Sequence, residues 1–509
     1  QSGDTYTATG TWSVAGEIQV IGELSTGGYT TTMAGLTDVD GTLTIPNGGV
    51  YDANGDFNAD GGGSGAVTLA GTGRLRLSAA GSGVSSFGNL STGAGTVEYD
   101  GGTQSVLADT YYNLEIDQAG TKTAQGAVNV NGTMTVQSTG TPIYDVAATT
   151  TEVTGTSTIS GTLNINASGV YDANGDFAAS GAITMVGTAR LQLSASGSGV
   201  SSLGNLATSA GTVEYDGGTQ NILADTYYNL EVDQAGTKTA QGTVTVNGTM
   251  TVQNTGLVVY DIAGTNTTVN GATTVNHTNG SNSGTIKLTT GTFEANGATD
   301  INGKLTIHGS GTYDADDDFD ATGATVEFTS TGGNLKLGGA TVTSLGSTLT
   351  ENTGTIHYDY AGNQTVISET YYNLTINNGT GTKTAGGALD IDGDLTVTAG
   401  TLAMGANDAD VASGKTITVG PDGTSDGTLS ITTGTFTANG SSSDINGTLI
   451  INGNGIYDAD GDFDGTSGAV RFNGVGGTLR LGGAIVTSIG GTFVHGTGTV
   501  EYDYFGNQS

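Results

Sequence analysis

The sequence predicts an all-β protein, folded as a parallel, right-handed β-solenoid with about 20 residues in each coil. Three observations support this fold class. Short strands of the pattern Gly-x-aliphatic-x-aliphatic recur, and those that open at Gly284, Gly303 and Gly323 follow one another at intervals of 19 and 20 residues. The 509 residues include 90 Gly but only 3 Pro. Glycine interrupts every stretch long enough for a helix, and no apolar period of 3.6 residues appears.

Each short strand alternates apolar and polar residues, which is typical of a strand with one buried face. In the segment GTLSI, Leu429 and Ile431 are predicted to point inward, while Thr428 and Ser430 point outward. Asn-Gly pairs between strands supply the tight corners. A string of antiparallel β-sandwich domains is the alternative fold, but no Pro-rich or Ser-rich linker separates such domains.

The chain also repeats on a larger scale. The words YDANGDF, YDANGDF, YDADDDF and YDADGDF begin at Tyr51, Tyr171, Tyr313 and Tyr457, at spacings of 120, 142 and 144 residues. Each is followed, in constant order, by an RLRL-type strand, GTVEYD, TYYNL and GTKTA, although the last copy is incomplete. We therefore predict one continuous solenoid made of a partial N-terminal unit and four repeats, with bounds 1–50, 51–170, 171–312, 313–456 and 457–509.

The last words, YFGNQS, match the segment that starts at Tyr360 and precedes a TYYNL strand. A coil that ended there would expose unpaired backbone groups. We expect the natural protein to continue beyond Ser509. The alternative is a head-to-tail filament in which a second copy covers the exposed coil.

The charge balance narrows the function classes. Acidic residues number 48 and basic residues 12, which gives a formal charge of -36. Such a surface repels phosphates and anionic membranes, so we expect no nucleic-acid partner and no direct membrane insertion. There is no Cys, which excludes disulfides and thiolate chemistry. The opening QSGDTYTATG has no Met and no basic segment, which indicates a secreted protein whose signal peptide has been removed.

These features together resemble the repeat-rich, secreted β-helical surface proteins of Gram-negative bacteria, including the filamentous-haemagglutinin-like adhesins. The resemblance rests on the Gly-x-aliphatic-x-aliphatic strands, the Asn-Gly corners, the acidic Thr-rich composition and the absence of Cys. It extends over essentially the whole chain. It implies an extracellular or cell-surface protein with a structural or adhesive role.

The repeated YD words hold the densest acidic residues and form the first candidate site. Oxygen ligands at alternate positions begin a Ca²⁺ loop of the EF-hand type, but the Glu at the twelfth position is missing. The alternative is a polar corner where Asp and Asn side chains bond to nearby backbone. Ca²⁺ is thus a candidate ligand, and no cofactor is required. The candidate metal ligands are Asp52, Asn54, Asp56, Asp172, Asn174, Asp176, Asp314, Asp316, Asp318, Asp458, Asp460 and Asp462.

The TYYNL words form the second candidate site, because neighbours on a strand face opposite ways. One Tyr of each pair should be core, and the other should be surface, available for sugar rings or for lateral contacts between fibres. The alternative is that the outer ring lies flat on a neighbouring loop. The candidate residues are Tyr111, Tyr112, Tyr227, Tyr228, Tyr371 and Tyr372.

The lysines of the GTKTA words, Lys122, Lys238 and Lys383, are predicted to neutralise carboxylates at the surface. An enzyme is not expected, because the distinctive residues recur in every repeat whereas a catalytic site needs residues that occur once. We predict an extracellular structural protein of a bacterial cell surface, fibre or biofilm matrix, similar to an adhesin stalk, which associates with itself. The alternatives are a repeated carbohydrate-binding module that uses the exposed Tyr, with glycans as partners, and a calcium-stiffened spacer.

Overall fold

The computed structural model describes residues 4–60, 64–91, 93–207, 209–278, 283–421 and 427–509. They form parallel sheets stacked as a β-solenoid of about 23 turns, with roughly 21 residues in each turn, which confirms the predicted fold class. Every recorded ladder between two strands in these ranges is parallel, so a string of antiparallel sandwiches is excluded for them. The chain divides into two compact units, Gln1–Gln241 and Gly242–Ser509.

The described strands of the N-terminal unit are β1 Thr5–Thr7, β2 Trp12–Val14, β3 Ile18–Val20, β4 Glu23–Ser25, β5 Thr30–Met33, β6 Thr37–Val39, β7 Thr42–Ile45, β8 Val50–Ala53, β9 Phe57–Asn58, β10 Ala66–Leu69, β11 Arg74–Leu77, β12 Val84–Ser86, β13 Asn89–Ser91, β14 Thr96–Tyr99, β15 Gln104–Val106, β16 Thr110–Tyr111, β17 Asn113–Ile116, β18 Gly120–Ala124, β19 Val128–Val130, β20 Met134–Val136, β21 Pro142–Asp145, β22 Thr150–Val153, β23 Ser157–Ile159, β24 Thr162–Ile165, β25 Val170–Ala173, β26 Phe177–Met185, β27 Arg190–Leu193, β28 Val200–Leu206, β29 Thr212–Tyr215, β30 Gln220–Ile222, β31 Thr226–Tyr227, β32 Asn229–Val232 and β33 Gly236–Ala240.

Those of the C-terminal unit are β34 Val244–Val246, β35 Met250–Val252, β36 Leu257–Asp261, β37 Asn266–Val269, β38 Thr273–Val275, β39 Ser283–Leu288, β40 Thr292–Ala295, β41 Thr299–Ile301, β42 Lys304–Ile307, β43 Thr312–Ala315, β44 Phe319–Asp320, β45 Thr325–Phe328, β46 Asn334–Leu337, β47 Val342–Ser344, β48 Thr348–Thr350, β49 Thr355–Tyr358, β50 Gln364–Val366, β51 Thr370–Tyr371, β52 Asn373–Ala385, β53 Leu389–Ile391, β54 Leu395–Gly405, β55 Ala409–Val411, β56 Thr416–Val419, β57 Gly427–Ile431, β58 Thr435–Ala438, β59 Ser442–Ile445, β60 Thr448–Ile451, β61 Gly453–Ala459, β62 Phe463–Asp464, β63 Ala469–Arg471, β64 Gly476–Leu481, β65 Val486–Ser488, β66 Thr492–Val494 and β67 Thr499–Tyr502.

Each coil has three sides, because a strand generally pairs with the third strand after it. Thus β7 pairs with β10, β8 with β11 and β9 with β12, all in parallel. A few strands, such as β26, run through a corner and serve two sides, since β26 pairs with both β23 and β24. Inward residues stack rung on rung, and outward residues form rows along each side.

The long repeat does not contain a whole number of coils. In the N-terminal unit, Tyr51 lies on β8 and Tyr171 lies on β25, seventeen strands later. Seventeen is not a multiple of three, so β8 and β25 belong to different sides: β8 stacks with β5 and β11, and β25 stacks with β22 and β27. The equivalent strands of the C-terminal unit, β43 and β61, also lie in different sheets. Equivalent side chains of consecutive repeats within a unit therefore face different directions.

The core contains many Tyr side chains in addition to Val, Ile and Leu. The twelve largest fully buried side chains are all Tyr. Every one of their hydroxyls has a hydrogen-bond partner, which a buried phenol needs in order to offset its lost hydration. In the YD words the partner lies 14 residues earlier: Tyr51 with Thr37, Tyr171 with Ser157, Tyr313 with Thr299 and Tyr457 with Ser443, at 2.8–3.2 Å.

Glycines stack at one corner because the coils approach too closely there for a side chain. A Cβ added to Gly155 would lie 2.1 Å from the carbonyl oxygen of Gly132 one coil earlier, and one on Gly175 would lie 2.3 Å from that of Gly155. Only a residue without Cβ fits such a contact. The Asn-Gly corners expected from the sequence are thus explained by this close stacking.

Candidate functional site: acidic rows and outer tyrosines

The TYYNL words divide their two rings as predicted. Tyr111, Tyr227 and Tyr371 are completely buried. The second ring of each pair points outward, and Tyr112 is 39% exposed while Tyr228 and Tyr372 are half-buried. The structure thus provides a surface ring in each word, whereas its contact with sugars or with other fibres stays a prediction.

The outer rings lie beside the glycine corner. A Cβ added to Gly132 would come within 3.2 Å of Cε1 of Tyr112, so the ring edge packs against the backbone of the next coil. Tyr372 has a further neighbour: the Lys415 ammonium lies 4.9 Å from the centre of its ring and 3.4 Å from its hydroxyl. The first ring is therefore open on its outer side, while the third is covered by a cation.

The first Asp of each YD word lies on the outward row of its strand, and a cation follows on the next rung in three of the four repeats. Arg76 is the register partner of Asp52, and its guanidinium forms its ion pair with a carboxylate of the following rung, at 3.0 Å. The Asp314 carboxylate forms an ion pair with the Lys336 ammonium, with Oδ2 and Nζ 2.8 Å apart. Asp458 lies 3.3 Å from Arg480. Asp314 and Asp458 are thus paired with a cation of the protein itself, and a guanidinium lies in the same row as Asp52.

Asp172 is the exception, because its register partner on β27 is the neutral Gln192. One carboxylate oxygen of Asp172 is buried and has no hydrogen-bond partner among the described residues. Burial, and then the negative charges of Asp216, Glu152 and Glu214, together raise the pKa of Asp172 to about 6. This row has an excess of negative charge at neutral pH.

The later positions of the YD words lie in the corners. Asn54 and Asn174 are exposed. The carboxylates of Asp318 and Asp462 accept the backbone N–H groups of Thr341 and Ile485 from the following coil, at 2.9 and 3.1 Å.

Burial first, and then neighbouring carboxylates, raise the pKa of Asp316 and Asp460. Asp320 and Asp464 accept the backbone N–H two residues later, both at 2.8 Å. The backbone contacts of Asp318 and Asp462 favour the polar-corner interpretation for the third acidic position of the word, while Ca²⁺ binding stays a prediction.

One group of three carboxylates among the described residues could hold a metal ion, and none of its members was a candidate from the sequence. It consists of Glu214, Glu231 and Asp233, whose ligand atoms lie within 4.8 Å of one another. Arg190 already lies 2.6 Å from both Glu214 and Glu231. The guanidinium therefore supplies positive charge to two of the three carboxylates.

The prediction for the GTKTA lysines is wrong. Lys122, Lys238 and Lys383 have no exposed surface, because the alternation of their strands points them inward. Lys122 donates to the carbonyl oxygens of Gln118 and Ala119 at 2.8 and 3.3 Å, and Lys383 donates to the carbonyl oxygens of the preceding coil. Burial lowers the pKa of each to about 8, because the charged form loses its hydration.

Sequence reasoning also missed a glutamine that follows each GTVEYD-type strand and is buried in the first three of the four copies. The Gln104 amide donates to the carbonyl oxygens of Leu77 and Ala79 at 2.7 and 2.9 Å and accepts the Gly101 N–H at 2.9 Å. Gln220, Gln364 and Gln508 donate to the equivalent carbonyls. The signal was present in the words GGTQ and GNQ, whose Gln follows the last Tyr of the strand by five residues in two repeats and by six in the other two.

Comparison with known proteins adds no relative: no family model, no curated protein and no solved structure matches the chain. Within the described residues no helix is long and apolar enough to cross a membrane. The β-solenoid itself is compatible with β-helical adhesin-like proteins.

Proposed function

We propose that this chain is an extracellular structural protein of a bacterial surface, fibre or matrix, similar to an adhesin stalk of the filamentous-haemagglutinin-like kind. The observation that carries the proposal is where the repeated words lie. The Tyr of the YD words, the first Tyr of the TYYNL words, the Lys of GTKTA and the Gln of GGTQ are all interior residues. What the repeats preserve is the inside of a coil, as expected for a chain whose task is to maintain a long, regular solenoid.

The chemistry of the surface supports the same proposal and argues against an enzyme. The outward rows of the strands hold Thr, Asn and carboxylates in every repeat, with few cations. An enzyme of this architecture needs a groove with residues that occur once. A strongly acidic and hydroxyl-rich exterior instead keeps an extended protein hydrated. Self-association into a fibre or matrix completes the proposal.

Electron microscopy of native material, purified from its source, tests this proposal. We expect regular rods or bundles of rods. Compact single particles would contradict a fibre. The same grids prepared with a chelator test the calcium-stiffened spacer. Rods that kink or separate would assign a structural cation to the acidic rows, in which Asp172 and Asp458 each have a buried carboxylate oxygen without a hydrogen-bond partner among the described residues.

A repeated carbohydrate-binding module is the second candidate function, and the exposed ring of Tyr112 is the observation that favours it. Binding to a glycan array, compared between the natural chain and Tyr112→Ala, tests it. A glycan whose binding disappears with this substitution would support the module. Equal binding by both chains would exclude Tyr112 as the recognition residue.

A further inference from the structure

The contact between Lys415 and Tyr372 shows what the outer face of a TYYNL ring accepts. The ammonium lies 4.9 Å from the ring centre, within the distance at which the ring quadrupole attracts a cation. It also lies 3.4 Å from the phenol oxygen. Lys415 comes from two coils further along the chain and reaches back over the glycine corner to cover the ring.

The equivalent place beside Tyr112 has no side chain. The strand register shows which residues are equivalent. Two residues after Tyr372, Leu374 pairs with Leu395 on the next coil, which pairs with Ile417 on the one after. Two residues after Tyr112, the corresponding partners are Leu114, Met134 and Ser157. Lys415 lies two residues before Ile417, and the residue two before Ser157 is Gly155.

The corners that carry these two residues also differ in length. Four residues separate β55 from β56, and three separate β22 from β23. The longer corner carries Lys415. The shorter one carries Gly155, which stacks directly on Gly132 beneath the Tyr112 ring.

The Tyr112 ring is consequently left open. It is 39% exposed, and its inner edge is held against the backbone at Gly132. In the part of the chain that the structure describes, no cation lies over this ring; the two cation–ring contacts there belong to Tyr360 and Tyr372. Tyr112 thus occupies the position equivalent to Tyr372, but without a cation over its ring.

The net charge of the chain indicates which class of ligand would bind at the outer face of Tyr112. The formal charge is -36, so the long-range field concentrates cations and repels anions. At an aromatic face, such a field favours an ammonium group over a neutral sugar.

We propose that the outer face of Tyr112 binds an alkylammonium group from a partner, in the place that Lys415 occupies over Tyr372. Two sources carry this chemistry: the side chain of a lysine on a partner protein, and a quaternary ammonium such as a choline group. The site goes beyond the structural role, because it gives the solenoid a defined point of attachment for cationic partners.

The test follows the Tyr ring signals by NMR in the full chain, with ¹³C-labelled tyrosine. The probes are tetramethylammonium chloride and Nα-acetyl-lysine methylamide. Sodium chloride at the same ionic strength and glucose serve as controls. Tyr112→Leu and Tyr372→Leu assign the two signals. A single exposed cation–ring contact is weak, so the probes are titrated to high concentration.

We expect the Tyr112 signal to shift with a probe, while the signals of Tyr372 and of the buried Tyr99 do not move. In the Lys415→Ala variant, the Tyr372 signal should begin to respond in the same way as Tyr112. A response to both probes supports an ammonium of either source. A response to one probe alone supports the proposal and identifies lysine or the quaternary amine as the source.

Three results would overturn the proposal. A Tyr112 signal that ignores both probes would exclude the site, and an equal shift with sodium chloride would reduce it to general screening. A shift with glucose and not with the ammonium probes would move Tyr112 to the carbohydrate-binding alternative. None of them affects the structural role, which is tested by the shape of the native particles.

Discussion

The phenol oxygens of Tyr99 and Tyr111 lie 3.1 Å apart inside the solenoid. The Tyr111 hydroxyl donates to the Leu107 carbonyl at 2.8 Å, and the Leu107 N–H donates to the Tyr99 oxygen at 3.1 Å. Two repeated words, GTVEYD and TYYNL, are thus joined by a closed hydrogen-bonded circuit. The same circuit joins Tyr215 to Tyr227 and Tyr358 to Tyr371.

We predict that Tyr111→Phe destabilises the coils around it by about 1 to 3 kcal/mol, because it leaves a shielded carbonyl without its donor. Tyr112→Phe on the outer surface is the matched control and should change the free energy of unfolding by less than about 0.5 kcal/mol. Urea denaturation of the full chain measures both. Equal effects of the two substitutions would contradict a structural role for the buried circuit.

The glycine corner gives a second prediction. Gly155→Ala would place a Cβ 2.1 Å from the Gly132 carbonyl oxygen, so two coils must separate. We expect a loss of about 1 to 3 kcal/mol, typical of overpacking. In Gly102→Ala the new Cβ meets no atom within 4 Å, and the substitution should be close to neutral. Hydrogen exchange would localise the effect: faster exchange near residue 155, without change near residue 102, is the expected pattern.

The lowered pKa of the buried lysines predicts that the free energy of unfolding rises at alkaline pH. The pKa of Lys122 is about 8 in the folded chain, below its ordinary value of 10.5, so the folded state binds its proton more weakly than the unfolded state. The stability of the natural chain should therefore rise between pH 8 and 10.5, by no more than about 3 kcal/mol for each lysine.

Denaturation midpoints of the natural chain and of Lys122→Met, measured from pH 7 to 10.5, test this response. The difference between the two chains should change in favour of the natural chain as the pH rises. Lys336→Met is the control: the hydrogen bond to Asp314 raises the pKa of Lys336 above 10.5, so its proton stays bound over this pH range and the difference should be nearly constant. A constant difference for Lys122→Met as well would show that burial does not perturb this amine.

The raised pKa of Asp172 predicts that the free energy of unfolding falls as the pH rises in the acid range. Its folded pKa of about 6 is above the ordinary 3.8, so protonation stabilises the folded chain. That stabilisation is fully present below pH 3.8 and is lost as the pH rises through 6. At pH 7, Asp172→Asn should be more stable than the natural chain by about 1 kcal/mol, since partial exposure screens the repulsion. At pH 3.5 the difference should disappear.

Gln192→Arg provides an independent test of the same row, because it places a cation at the register position that Arg76, Lys336 and Arg480 occupy in the other repeats. We expect it to stabilise the chain at pH 7. Asp458→Asn is the control, and it should not stabilise, because Asp458 already has Arg480. If Asp172→Asn and Asp458→Asn behaved alike at pH 7, the excess negative charge around Asp172 would have no energetic consequence.

Local chemistry made the corner and strand assignments predictable. Alternation in GTLSI placed Leu429 and Ile431 inside, and they are buried. The Tyr pair of TYYNL was divided correctly, because neighbouring residues on a strand must face opposite ways. The prediction for the lysines is wrong because it follows the general preference of charged residues for the surface, whereas the alternation of the strand puts Lys122 inside.

The sequence by itself determined that the chain is a solenoid, where its strands and corners lie and how long its repeats are, because these depend on alternation and on glycine within a few residues. Only the tertiary structure decided which residues of different coils meet. It placed carbonyl oxygens around Lys122, a neutral Gln192 beside Asp172 and Lys415 over Tyr372. Within the N-terminal unit it also placed Tyr51 and Tyr171 on different sides, because the seventeen strands from β8 to β25 are not a multiple of three. These relationships depend on how many strands and corner residues separate two positions, and that register appears only when the coils are stacked.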